Sequence, residues 1–459
     1  MPVIKPSLPK GTRDFLPEQM LRRQFVMDTM KNIFERYGYE PLESPSIEKL
    51  EVLSGKYGEE GEQLIFKVLK RGTGLEELLR GQQEFVVKDY KEMVEEALRY
   101  DLTVPLSRVV AMYQNELILP FKRYQIQPVW RADRPQRGRY REFYQCDVDT
   151  VGTESMLTDA ETIAIIYDVL TTLGFKKFSI RINNRKVLNG ILNYAGVDSD
   201  KGTSVFIAID KLDKIGKNGV KKELNDKGIS NTAVNKIFSI LEISGQPEQV
   251  LTDLSNSFSA IDALQKGTEE LKQILTYLDD LSIPRENFKI DLYLVRGLGY
   301  YTGPIYESVV EEPNIGSLSG GGRYDKLIGL FLGRDIPATG VAFGIERIID
   351  VMAQLEMFPA LKTKTDVLVT LFDRTTLQAS LTLTQQFRSS GINAEHFFEL
   401  TKIKKQFAYA NRKKIPFVAI IGPDELATEQ VTIKNMKTGK QQQLQREKVL
   451  EYLKKVKSK

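Results

Sequence analysis

The sequence predicts an α+β protein that carries a helical insertion and ends in a separate α/β domain. Three observations predict it. Two runs alternating at period two, residues 122–130 and 141–151, flank a turn holding Pro135 and Gly138, as in a β-hairpin. Beyond Gly196, up to about Pro284, the chain turns Lys-, Asp- and Ser-rich with helical patches. After Lys362 strands and helices alternate regularly. With 459 residues the chain exceeds one compact core. The boundaries read as 1–195 and 285–361 for a split first domain, 196–284 for the insertion and 362–459 for the last domain.

Each element has its own signal. Residues 19–36 place Phe25, Met30, Ile33 and Phe34 at helical spacing, and Gly38 stops the helix. Pro41 and Pro45 keep residues 40–48 extended. The hairpin follows, then a helix over 159–173 closed by Gly174 and a strand over 178–183. Inside the insertion, 234–241 and 268–281 are helical. Strands return at 288–295 and 306–310, before the cluster Gly320-Gly321-Gly322, and 340–352 begins glycine-punctuated and turns into a helix. The last domain reads as strands at 366–372, 393–397 and 416–421, helices at 376–389 and 401–412, a polar hairpin-like segment and a helix over 447–455.

Composition excludes several classes. A hydrophobic content of 41% and a charged content of 27% are those of an ordinary globular chain. No apolar run has the length of a membrane span, and the N-terminus has no apolar segment like a signal peptide, so no membrane partner is expected. The lone Cys146 excludes an internal disulfide, and with the lone His396 it leaves no Cys/His zinc cluster, so no metal-ligating residue is assigned. A reducing cytoplasm is the expected compartment. The net charge of +4 is unevenly spread: residues 362–459 hold 19 Lys and Arg against 9 Asp and Glu, +10, and the rest carries −6. A polyanion contact at the C-terminal part and a solvated lysine-rich surface both fit that balance.

Four stretches carry chemistry. Around the hairpin turn stand Arg131, Arg134, Arg137, Arg139 and Arg141. Period two sets Arg131 and Asp133 on one face of the first strand, and Arg141, Phe143, Gln145, Asp147 and Asp149 on one face of the second, with Tyr144, Cys146 and Val148 opposite. Guanidinium, amide and carboxylate groups on one surface suit a nucleotide-binding floor. Residues 98–108 read as a strand-to-helix junction with Asp101 or Thr103 as cap. Residues 294–307 place Arg296, Tyr300 and Tyr301 among Gly297, Gly299 and Gly303, where backbone can approach a polar ligand closely. Gly340 and Gly344, taken alone, fit a plain core helix equally well. No Walker-type phosphate loop is present.

Together these stretches resemble the histidyl-tRNA synthetases, a family of class II aminoacyl-tRNA synthetases, over essentially the whole chain. The resemblance runs from Lys10-Gly11-Thr12-Arg13-Asp14-Phe15-Leu16-Pro17 through Pro45, the arginine hairpin and Arg347, which match the three class motifs. The segments around Arg296-Gly297-Leu298 with Tyr300-Tyr301-Thr302-Gly303, and Gly320-Gly321-Gly322-Arg323-Tyr324-Asp325, are particular to the histidine enzymes. The tail around Lys404-Lys405-Gln406-Phe407 and Ile415-Pro416-Phe417-Val418 resembles their anticodon-binding domain.

The resemblance implies a homodimeric histidine–tRNA ligase with an antiparallel catalytic sheet flanked by helices and a C-terminal anticodon-binding domain. It implies L-histidine, ATP with Mg2+, and tRNA(His) as partners. Arg131 and Arg296 are the expected catalytic residues, flanking the α-phosphate and holding the substrate carboxylate. Asp149, Tyr300 and Tyr301 are expected at the imidazole, and Asp101, Thr103 and Gln145 at the amino group. Arg131, Asp133, Arg139 and Arg347 are expected on ATP, with Arg347 stacked on adenine. The pattern has Asp where this chain has Gly299. Two rivals remain at this point: a non-catalytic, histidine-sensing paralogue that regulates ATP phosphoribosyltransferase, and a pure RNA-binding protein.

Overall fold

The computed structural model describes residues 4–56, 58–72, 93–136, 138–295, 299–313, 315–359 and 363–457. The chain divides into two compact units, Met1–Asp14 with Phe25–Met357 and Phe15–Gln24 with Phe358–Lys459.

Strands of the first unit are β1 (Glu40–Pro41), β2 (Ile47–Lys49), β3 (Lys67–Leu69), β4 (Val94–Leu98), β5 (Phe121–Trp130), β6 (Glu142–Val151), β7 (Phe178–Asn184), β8 (Phe288–Ile290), β9 (Pro304–Val310), β10 (Ser319–Arg323) and β11 (Ala338–Phe343). Eight of them form one sheet in the order β1-β5-β6-β11-β10-β9-β7-β8. Its interior pairs are antiparallel, whereas the edge strands β1 and β8 run parallel to their neighbours. The expected antiparallel sheet is therefore mixed at both margins. A small sheet, β2-β4-β3, accompanies it.

Helices cover the sheet because each carries an apolar stripe. The helix Pro17–Arg36 buries Met30, Ile33 and Phe34, and the Phe34 ring meets Tyr124 and Phe343 at 5.7 and 5.8 Å. The helix Met156–Thr172 starts earlier than its apolar period suggests, because the Ser155 side chain accepts the Leu157 N–H at its N-terminus. Between β7 and β8 the chain makes the helices Gly202–Ile209, Leu212–Asp226, Asn231–Leu241, Pro247–Ser257 and Asp262–Asp280.

The structure corrects or completes the sequence reading at four places. The strand expected over 288–295 stops at Ile290, since Asp291 turns the chain: its carboxylate accepts the Tyr293 N–H at 3.1 Å and its carbonyl the Leu294 N–H at 3.0 Å. The triple glycine is itself strand, β10. Residues 340–352 divide into β11 and the helix Ile345–Gln354. Arg131 and Asp133 lie beyond the end of β5, in the connecting loop, and do not share a strand face.

The second unit holds β12 (Val367–Val369), β13 (Ala394–His396), β14 (Phe417–Ile420), β15 (Gln430–Asn435) and β16 (Gln441–Gln445) in the order β13-β12-β14-β15-β16. Its own core gathers Val367, Val369, Phe387, Ile421, Val431 and Leu453, which the alternation of short strands with amphipathic helices brings inward. Among the described residues no helix is long and apolar enough to cross a membrane. Cys146, in the middle of β6, is fully buried, and burial pushes its thiol well up.

Candidate active site

Sheet register builds the site. Across four strands Arg123 faces Asp149, Asp149 faces Gly340, and Gly340 faces Gly322; the next row sets Gln125 against Asp147 and Asp147 against Ala342. Glycine is required here. A Cβ on Gly340 would lie 2.1 Å from Asp149 Oδ1, and one on Gly321 would lie 2.1 Å from the Gly340 carbonyl.

Above these rows opens a cavity of about 290 Å³. It brings together Asp101, Thr103, Gln145, Asp149, Tyr300 and Tyr301 with Arg131 and Arg347. An adjoining chamber of about 420 Å³ adds Asp133 and Arg139 and shares Arg131, Phe143, Gly344 and Arg347 with the first. Tyr144, read from period two as facing the other way, reaches the wall of both. Arg296 lies outside the described residues. A Cβ on Gly299 would meet nothing within 4 Å, so its lack of a carboxylate leaves open space.

Electrostatics divide the two chambers. Asp149 is 4% exposed, pairs with Arg123 Nη2 at 2.9 Å and accepts the Tyr324 hydroxyl at 2.5 Å. Burial raises its carboxyl above the usual range, while Arg123 and Tyr324 pull the other way. The Tyr300 and Tyr324 phenols are pushed up chiefly by burial and remain neutral hydroxyls. Asp101 accepts the Val104 N–H at 3.1 Å, capping the helix Thr103–Met112 as its spacing suggests.

The cations are held from behind. Arg131 lies over the Tyr100 ring at 4.4 Å and the Phe143 ring at 5.2 Å, and its Nε donates to the Tyr100 carbonyl at 3.1 Å. Arg347 Nη1 donates to the Ser317 carbonyl at 2.8 Å and hydroxyl at 3.1 Å. Arg139 stands 3.7 Å from Asp133 and is half-exposed. Fully buried Arg99 braces this end of the sheet: Nη1 donates to the Ser44 carbonyl at 2.6 Å and Nε to the Pro128 carbonyl at 2.8 Å.

Sequence reasoning assigned no role to Arg123, Asp147 or Tyr324. Period two puts Asp147 on the Gln145–Asp149 face, a signal available without structure. Tyr324 lies in the particular Gly-Gly-Gly-Arg-Tyr-Asp segment. Arg123 had no such marker, because its pairing with Asp149 depends on register.

The family model described as histidyl-tRNA synthetase matches residues 11–78 and 72–348, and one described as anticodon binding domain matches residues 366–456. The chain belongs to the histidyl-tRNA synthetase family. It is 43% identical over 442 residues to the histidine–tRNA ligase of Cytophaga hutchinsonii, covering 95% of this chain and 97% of that one. To the enzyme of the same name from Bacteroides fragilis it is 45% identical over 444 residues, covering 95% and 96%. Among solved structures, the histidyl-tRNA synthetase of Nostoc sp. PCC 7120 superposes with a TM-score of 0.85 at 32% identity, covering 99% and 100% of the two chains. A Bacillus halodurans protein described as an ATP phosphoribosyltransferase regulatory subunit/histidyl-tRNA synthetase superposes with a TM-score of 0.71 at 21% identity, covering 88% and 97%. That last likeness is one of fold.

Proposed function

We propose that this chain activates L-histidine with ATP to histidyl-adenylate and pyrophosphate, then passes the histidyl group to the 3′ end of tRNA(His). The observation that carries the reading is the meeting of Arg131 and Arg347 with a buried Asp149–Tyr324 pair in one cavity. In the first step a histidine carboxylate oxygen bonds to the α-phosphorus as the bond to the pyrophosphate leaving group breaks. Charge grows on the oxygens around phosphorus, and guanidinium groups stay protonated and bind in a forked geometry.

Arg131, at the junction of the chambers, takes the carboxylate and α-phosphate, with Arg296 assigned to the opposite side by family resemblance. Arg347 lies on adenine, Asp133 near its amine, and Arg139 toward the phosphates of ATP, which arrives as its Mg2+ complex. Asp149, Tyr300 and Tyr301 receive the imidazole; Asp101, Thr103 and Gln145 receive the amino group. A pocket of such partners rejects apolar amino acids because it would be left with unpaired buried groups. In the second step the terminal hydroxyl of the tRNA attacks the histidyl carbonyl, the acyl–phosphate bond breaks to release AMP, and the substrate phosphate takes the proton of the attacking hydroxyl.

The protein works as a cytoplasmic homodimer with Pro45 at the subunit interface. The regulatory-paralogue reading is disfavoured by the C-terminal match to an anticodon-binding domain. Exchange of labelled pyrophosphate into ATP tests the proposal: it is expected to require histidine, and histidine-independent or absent exchange rejects it.

The basic second unit exposes Phe398 to 83%, with its ring 5.3 Å from that of His396. An aromatic face on a cationic surface suits stacking of an unpaired base. Phe398→Ala is expected to weaken tRNA(His) binding roughly tenfold and to leave histidine-dependent exchange unchanged. Filter binding and exchange measured together check this, and equal tRNA affinity removes Phe398 from the interface.

A further inference from the structure

We propose that Asp147 is a further substrate-contacting residue, whose buried carboxyl oxygen receives the α-ammonium group of the amino acid together with Asp101 and Gln145. The proposal rests on the histidine reading of the cavity given above.

Three acceptor oxygens on the cavity face of β6 lack a hydrogen-bond partner among the described residues, and only one of them, Asp149 Oδ2, has an ion pair, with Arg123. Gln145 Oε1 and Asp147 Oδ1 are buried and have no hydrogen-bond partner among the described residues, and both side chains line the cavity. They stand two residues apart on one strand, so they point the same way about 7 Å apart along it. Asp149, the next residue on that face, is already engaged by Arg123 and Tyr324. Asp147 is only 2% exposed. A buried acceptor without a donor costs free energy until something supplies the donor. An ammonium carries three N–H donors on one atom and a positive charge, which is the complement of two orphan oxygens beside Asp101.

Charge balance gives the same answer. The groups facing Asp147 are Arg123 from β5, Cys146 and Asp149 from β6, Asp101 before the helix Thr103–Met112, Arg131 after β5, and Tyr300. Arg123 offsets Asp149, and Arg131 is committed to the substrate carboxylate. Asp101 and Asp147 then share one incoming cation. Burial, aided by Asp149 and Asp101 and opposed by Arg123 and Arg131, holds the Asp147 carboxyl well above the usual range. Any proton that the raised carboxyl holds in the free site is displaced by the arriving ammonium. Since the proton is held by the free protein and not by the complex, affinity for histidine rises as pH rises through that titration.

The test uses the full chain, titrated calorimetrically with L-histidine and with 3-(imidazol-4-yl)propionate, which lacks only the amino group. Asp147→Asn is expected to weaken histidine roughly 10- to 100-fold and to leave the des-amino analogue nearly unchanged. Equal weakening of both ligands marks a merely structural role and overturns the proposal. The wild-type protein supplies a second measurement, in two buffers of different ionisation enthalpy. Histidine is expected to release more protons on binding to the wild-type chain than to Asp147→Asn, or to Asp147→Ser where the amide variant does not fold, and identical counts overturn the proposal. Failure of the wild-type chain to bind histidine at all refutes the functional reading instead.

Discussion

Replacing Arg131 by alanine is expected to lower kcat for histidine-dependent pyrophosphate exchange by about 10²- to 10³-fold, with little loss of stability. Its guanidinium is only partly buried, and among its contacts are a backbone carbonyl and two aromatic rings. What it adds to the fold is therefore modest. It lines both chambers, and the proposed function has it meet the attacking carboxylate and the phosphorus oxygens, where charge would develop during the reaction. Arg131→Lys keeps the charge and loses the fork, so partial recovery of the rate is expected. Steady-state exchange kinetics on both variants, with thermal denaturation as control, decide the matter. An alanine variant that exchanges at the parental rate would remove Arg131 from the phosphate.

Gly340→Ala is expected to abolish measurable histidine binding and to destabilise the first unit by about 1–3 kcal/mol. The added methyl would stand 2.4 Å from Asp149 Cγ and 2.6 Å from the Val148 carbonyl, besides its collision with Oδ1. The carboxylate must leave the Arg123 pair or the strands must part. Either movement disorders the end of the cavity that the proposed function assigns to the imidazole. Calorimetry with histidine and denaturant unfolding read the two effects separately, and an alanine variant with unchanged histidine affinity would show that Asp149 does not sit where substrate binds.

Legibility of the site in the sequence followed the range of the interactions. The hairpin was plain, because period two over ten residues is a local property of β5 and β6. The cap of the following helix was narrowed to Asp101 or Thr103, and the bond that chooses Asp101 reaches only three residues along the chain. β10 was not, since glycine is depleted in strands and Gly320-Gly321-Gly322 looks like a turn. Its purpose appears only when Gly340 is seen packed against it. Arg123 likewise needs register: 26 residues separate it from Asp149, and an apolar residue would suit its strand position as well. The run at 291–295 misled because alternation says nothing of an Asp side chain turning back on its own backbone.

The enclosed position of Cys146 has a practical corollary. The folded chain presents no sulfhydryl to a maleimide, so a cysteine introduced on either unit carries a fluorophore alone, without background from the native residue. The native thiol then serves as a latch indicator: it reacts only when the strands around β6 separate, and its alkylation rate counts those openings.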